Sequence, residues 1–174
     1  QVVRKHYRFI SNQELLHALR TGKPLPELAV LVTFDDGFRN NLTHAVPVLK
    51  QLGIPAVFFV ATGYIGANDV LWPHLLDELV LTWPYQTIPG PNGTMATLPT
   101  APALKNRFAE QLRNTCLELA DEDRRSYVEA IARDHSIQLD ARLRELNTFL
   151  SWDEVRTLAC QRFAIGSHTV NHPI

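Results

Sequence analysis

Residues 28–34 are almost continuously apolar and rich in β-branched side chains, and the run breaks off into Asp35-Asp36-Gly37. A strand with one wet face alternates polar and apolar residues, so an unbroken run predicts a central parallel strand covered on both faces. Downstream, Asn40-Asn41-Leu42-Thr43 offers helix-capping side chains. Ala45, Val46, Leu49 and Leu52 then recur at helical spacing, with Pro47 in the first turn and Gly53 as the stop. A second apolar stretch, residues 56–61, follows Pro55. Strand, helix and strand with short connections predict a parallel βαβ unit and hence an α/β fold.

The character changes over residues 67–150. Leu71, Trp72, Leu75, Leu76, Leu79, Val80 and Trp83 form a wide apolar stripe on a helix that Pro84 ends. Residues 85–102 are rich in Pro, Gly and Thr, and Asn92-Gly93 suits either a small hairpin or a long loop. Leu104, Phe108, Leu112, Cys116 and Leu119 make another helical face, with weaker helical patterns at 127–132 and 141–146. The expectation is one domain, residues 1–174, carrying a mostly helical insertion at 67–150. Past it, Ser151-Trp152-Asp153-Glu154 matches a capping box for a short helix, whose buried side is Val155, Leu158 and Ala159. Phe163-Ala164-Ile165-Gly166 then reads as a third strand that delivers His168 and His172 to its end. Parallel α/β folds place their sites at such carboxyl ends, so Asp35-Asp36 and the two histidines are expected to meet.

Composition narrows the chemistry. At 174 residues and 45% hydrophobic content the chain supports a sizeable core. Seventeen basic residues against eighteen acidic ones, with no long run of either sign, leave no electrostatic footprint for nucleic acid and favour a neutral substrate. No apolar run approaches the roughly 20 residues of a membrane span. Cys116 and Cys160 lie outside any metal-like spacing and are expected to be buried free thiols. The chain starts at Gln1 with neither Met nor a signal-like segment and stops at Pro173-Ile174, just after the second motif. These ends read as cut edges, the first where an export signal has been removed and the second leaving the domain incomplete.

Taken singly, each motif has a bland reading: Asp-Asp-Gly is a common turn, and two of seven histidines fall four apart by chance. Their contexts add weight. Gly166 and Ser167 precede the pair and Pro173 disfavours helix at His172, so the pair belongs to a turn after a strand. A catalytic zinc-type site needs three nitrogen or oxygen ligands and one open position. Asp36, His168 and His172 meet that count, and Asp35 is left over to take a proton from water that the ion acidifies toward about pKa 7. His6, His17, His44, His74 and His135 stand isolated and are read as structural or exposed, and Trp72 and Trp83 as core rather than sugar platforms.

Thr33-Phe34-Asp35-Asp36-Gly37 and His168-Thr169-Val170-Asn171-His172 resemble the first two motifs of the polysaccharide deacetylase family, the NodB-homology domains of carbohydrate esterase family four. Pro47-Val48-Leu49, Gly53-Ile54-Pro55-Ala56, Phe58-Phe59-Val60 and Ile165-Gly166-Ser167 agree with it. The resemblance covers about residues 29–66 and 151–173. It implies a partial or distorted (β/α) barrel, Asp35 as catalytic base, and Asp36, His168 and His172 as ligands of a divalent ion. Zinc suits these donors best, while cobalt, nickel or iron fit the same set. It further implies removal of acetyl groups from an acetylated polysaccharide or oligosaccharide, most often at N-acetylglucosamine units, and an extracytoplasmic setting.

The family's later segments, an Arg-x-Pro-Tyr-like stretch and a Leu-x-His stretch that carries the general acid, are not found, and His6-Tyr7 reverses the Tyr-His order of permuted relatives. Two further readings therefore stand beside the deacetylase: a non-catalytic glycan-binding relic, and an O-acetyl esterase acting on xylan-like polymers.

Overall fold

A computed structural model describes residues 5–67, 69–134 and 145–173. The chain divides into two compact units: residues 1–69 with 146–172, and residues 70–145 with 173–174. His135, and residues 141–144 of the expected helical pattern at 141–146, lie outside the described residues.

The first unit is built on parallel strands. β1 (Arg8–Phe9) pairs with β2 (Ala29–Val30), and β3 (Val32–Phe34), β4 (Ala56–Val60) and β7 (Ala164–Ser167) form a sheet in the order β3-β4-β7. Every one of these pairings is parallel. The architecture is a mixed α/β one with open parallel sheets, a partial barrel with no closure among the described residues. The expected single strand over 28–34 is interrupted: Leu31 separates β2 from β3, so the first half of the run pairs with β1 and the second with β4. Leu28 adopts a left-handed φ of 53° and Thr33 is exposed, so this stretch is less covered than its apolar character suggests. The fully covered strand is β4, where four of five residues are buried.

Two helices of this unit show how local sequence sets their ends. Helix α1 (Asn12–Thr21) has a capping box between Ser11 and Glu14 and closes on Gly22. Helix α2 (Val46–Leu52) does not start on the capping cluster as expected, because Asn40 is already helical and makes no side-chain cap. Instead the chain enters through a wide π-type turn, Asn41–Ala45, closed by the Val46 amide on the Asn41 carbonyl. Pro47 has no N–H to donate, which removes the competing tighter bond at the next position. Gly53 ends α2 at φ 61°, its amide bonding the Leu49 and Lys50 carbonyls.

The core of this unit centres on Phe58, which has no exposed surface. Its ring stacks on Phe34 at 5.0 Å and meets Phe163 edge-on at 5.3 Å, contacts worth about 0.5–1.5 kcal/mol each beyond area burial. Val46, Leu49, Ile65, Leu150, Val155 and Leu158 pack around it.

The second unit holds α3 (Trp72–Thr82), the antiparallel hairpin β5 (Thr87–Pro89) and β6 (Met95–Thr97), α4 (Pro102–Leu117) and α5 (Asp121–Asp134). Asn92-Gly93 does turn a hairpin: the Asn92 carboxamide oxygen accepts from the Thr94 amide at 3.1 Å and the Gly90 amide bonds the Thr94 carbonyl at 2.7 Å. Trp72 and Trp83 are both core, at 5% exposure each. The Arg124 guanidinium, itself paired with Asp121, lies 4.9 Å over the Trp72 ring, and the Trp83 indole donates to the Thr87 carbonyl at 2.7 Å. Cys116 is buried here as expected; Cys160, in the first unit, is exposed, which corrects the expectation for that thiol. It sits at the solvent side of the last turn of α6 (Trp152–Cys160), where Val155 and Leu158 take the inward positions.

Candidate metal centre

The three side chains expected to converge do so. One ligand atom from each of Asp36, His168 and His172 lies within 4.8 Å of the others. The Asp36 Oδ1 is 3.0 Å from the His172 Nε2 and 3.4 Å from the His168 Nε2, and the imidazole centroids are 5.1 Å apart.

Asp36 and Gly37 occupy the turn just past the carboxyl end of β3. Asp36 has φ 70° and Gly37 φ 86°, both left-handed, an arrangement that Asp tolerates and glycine makes cheap. Space argues for glycine as well, since a Cβ at 37 would lie 3.0 Å from the Ile65 Cδ1 and 3.1 Å from the Val60 Cγ1. The Asp36 carbonyl accepts from the Ala61 amide at 3.1 Å, tying this turn to the exit of β4. The following residues pair antiparallel with 148–150: Leu150 donates to the Gly37 carbonyl at 2.9 Å, Arg39 donates to the Thr148 carbonyl at 2.7 Å, and Phe38 stacks on Phe149 at 5.0 Å. Both partners of that pairing are unremarkable in sequence, and no motif announces it.

The capping box at Ser151 forms as expected, and it has a further partner. The Arg39 Nε donates to Glu154 at 2.7 Å while the Glu154 carboxylate accepts from the Ser151 amide at 2.9 Å. Burial opposes ionisation of Glu154, but the Ser151 amide and the Arg39 guanidinium outweigh it and hold the carboxyl below its ordinary value.

The histidines leave the end of β7 in the expected turn. The His168 amide donates to the Val60 carbonyl at 2.8 Å, which extends the β4–β7 ladder one residue past the strand. Thr169 and His172 are left-handed, with φ 63° and 50°, and the Thr169 hydroxyl accepts from the His172 amide at 3.0 Å. The Thr62 and Gly63 amides bond the Thr169 and Val170 carbonyls at 3.1 and 2.9 Å.

Two observations fit a cation held by this triad. The Asp36 Oδ1 is buried with no hydrogen-bond partner. Oδ1 is close to two imidazole nitrogens yet aligned as a hydrogen bond with neither, which is the geometry of donors facing a common point. Bonds of about 2.0–2.1 Å in a tetrahedron put neighbouring donor atoms roughly 3.3 Å apart, close to the 3.0 and 3.4 Å separations measured from Oδ1. Asp35 is exposed, lies outside the triad, and its carbonyl accepts from the Gly37 amide at 2.8 Å. His6, His17, His44 and His74 are exposed and belong to no such group among the described residues. A groove lined by Pro55, Ala56, Phe163 and Ala164 opens at the amino ends of β4 and β7, opposite the triad, and has no part in the site.

The family model described as polysaccharide deacetylase matches residues 22–174. The chain belongs to the polysaccharide deacetylase family. It is 44% identical over 74 residues to the poly-beta-1,6-N-acetyl-D-glucosamine N-deacetylase of Escherichia coli strain K12, a match covering 42% of this chain and 11% of that protein. A poly-beta-1,6-N-acetyl-D-glucosamine N-deacetylase of Staphylococcus aureus strain MSSA476 is 31% identical over 87 residues, 46% of this chain and 30% of that protein. The deacetylase domain BpsB of Bordetella bronchiseptica aligns with 96% of this chain and 40% of its own, at 18% identity and a TM-score of 0.46. The matches thus span well under half of each relative's length.

Proposed function

We propose that this chain carries the metal site of a deacetylase acting on polymers of N-acetylglucosamine, with Asp36, His168 and His172 holding a divalent ion and Asp35 serving as general base. The observation that carries the reading is the convergence of three donor atoms within 4.8 Å, two of them from the turn after β7 and one from the turn after β3. When bound, the ion supplies Lewis acidity, lowering the pKa of its water toward about 7 and drawing charge from the acyl oxygen. Zinc suits two imidazoles and one carboxylate best.

The protein's own groups divide the work. Asp36 contributes the charge that offsets the cation, and the two imidazoles complete the donor set. In this reading Asp35, exposed beside Asp36 and outside the triad, takes the proton of the attacking water as the acetamide carbonyl is attacked. The main chain of the β3 turn is tied by the Ala61 amide on the Asp36 carbonyl and the Leu150 amide on the Gly37 carbonyl, so the turn itself is braced before substrate arrives.

The substrate class follows from the relatives, whose names specify a β-1,6-linked N-acetylglucosamine polymer. Such a neutral polymer agrees with a formal net charge of −1. In this reading the unit of residues 70–145 is an insertion between the two halves of the site-bearing unit, and the protein works outside the cytoplasm. Among the described residues no helix is long and apolar enough to cross a membrane.

Acetate release from β-1,6-linked N-acetylglucosamine oligomers, measured with added zinc before and after Asp35→Asn, tests the assignment. The substitution is expected to lower turnover by at least about a hundredfold, the usual reach of a general base. Equal turnover in the two proteins removes Asp35 from the mechanism. Oligomer binding without any acetate release in the unsubstituted protein replaces the enzyme with a glycan-binding module.

A further inference from the structure

We infer that Gly63 is a positioning residue for the metal triad: its missing side chain lets the turn after β4 press against the loop between the two histidines and so sets where His172 points. The inference rests on the metal-site reading above and extends it to a residue that neither motif contains.

Thr169 and His172 both sit in the left-handed region, which residues with a Cβ rarely adopt unless their surroundings impose it. Three hydrogen bonds impose it. The Thr62 amide reaches the Thr169 carbonyl at 3.1 Å, the Gly63 amide reaches the Val170 carbonyl at 2.9 Å, and inside the loop the His172 amide reaches the Thr169 hydroxyl at 3.0 Å. The first two come from one short segment, Thr62-Gly63, separated by one residue from the end of β4, the strand that also takes the His168 amide.

Glycine is required at 63 by space and not by backbone freedom, since its φ lies outside the left-handed region that marks Gly37 and Gly66. A Cβ built there meets the Val170 carbonyl oxygen at 2.7 Å, the Val170 carbonyl carbon at 3.4 Å and the Asn171 Oδ1 at 3.3 Å. The nearest of these is main chain and has no rotamer by which to step aside. Opening 2.7 Å to an acceptable contact beyond 3.0 Å moves Val170 by several tenths of an ångström, two residues before His172. Metal sites hold their bond lengths to within about 0.2 Å, so a displacement of that size is felt. His168 is insulated from it by its own ladder bond to Val60, which places the effect on His172.

The test is zinc affinity of the full chain by chelator competition, with cobalt(II) absorption as a second readout of ligand geometry and thermal melting of the metal-free protein as the measure of fold. Gly63→Ala is expected to weaken zinc about tenfold or more, the range for residues that support a metal ligand, and to change the cobalt spectrum while the metal-free melting transition remains. In a His172→Ala background the same substitution is expected to change zinc affinity less than about twofold, because the ligand it acts through is gone. Unaltered zinc affinity and cobalt spectrum in Gly63→Ala overturn the inference and leave the metal site standing. An undiminished further loss in the His172→Ala background overturns it too, by showing a route other than His172. Should Gly63→Ala not fold, hydrogen exchange in the unsubstituted protein decides: protection of the Thr62 and Gly63 amides rises with zinc if they brace the loop, and unchanged protection refutes it. Absence of zinc binding in the unsubstituted protein removes the metal reading itself along with this inference.

Discussion

Replacing Asp36 by Asn keeps the size of the side chain and removes its charge, and zinc-linked stability reads the consequence without any substrate. Binding to the folded state alone stabilises by RT ln(1 + [L]/Kd), about 2.7 kcal/mol at one hundred times Kd. At roughly 2–4 °C per kcal/mol for a chain of 150–250 residues, zinc should raise the melting temperature of this 174-residue chain by about 5–11 °C. The Asp36 Oδ1 lies between the two imidazole nitrogens at 3.0 and 3.4 Å, so losing its charge removes the anionic donor of the set. If Kd rises a hundredfold, the same zinc concentration stabilises Asp36→Asn by only about 0.4 kcal/mol, a shift under about 2 °C. Asp35→Asn, on the exposed neighbour outside the triad, should retain the full shift. Circular dichroism melts with and without zinc make the comparison, each variant against its own metal-free form. Equal shifts in Asp36→Asn and the unsubstituted protein, or loss of the shift in Asp35→Asn, would refute the assignment of ligand and base.

Three further outcomes are expected. Phe58→Ala, which empties the centre of the first unit between Phe34 and Phe163, should cost about 3–5 kcal/mol in urea unfolding; a loss under about 1 kcal/mol would show that β4 is not the core strand. Glu154 has a depressed carboxyl pKa, so its contribution is present above the ordinary carboxylate range and fades as pH falls through the folded value. The half-exposed Arg39 pair is screened, so the urea-midpoint difference between the unsubstituted protein and Glu154→Gln should correspond to about 1 kcal/mol or less at pH 7 and shrink as pH falls below the ordinary carboxylate range; a difference that grows in acid has the wrong sign. Finally, a thiol reagent at pH 8 should label exposed Cys160 in the folded protein and spare Cys116, whose burial pushes its pKa up to about 11; equal labelling rates would contradict the packing of α4.

Much of this arrangement was legible in the chain because it is local. The apolar run 56–60 becomes the buried β4, Gly53 stops α2, Pro84 holds Trp83 extended at ψ 123° and ends α3, and Ser151 with Glu154 starts α6. Each depends on side chains within a few positions, where backbone preference and capping chemistry decide the outcome. The same local logic placed Asp36, His168 and His172 at strand ends and so anticipated their meeting.

Tertiary contact decided the rest. The split of residues 28–34 into β2 and β3 follows from two different pairing partners, β1 and β4, and a run of apolar residues does not say which neighbours it will have. Cys160 points outward because α6 has Val155 and Leu158 to bury, a choice of face that composition leaves open. The bracing of the turns that carry the triad by Leu150, Ala61 and Gly63 joins positions as much as 113 residues apart through main-chain groups, as in Leu150 to Gly37. Main-chain donors and acceptors are the same at every residue except proline, so such bonds leave no mark in the order of side chains and appear only once the chain has folded.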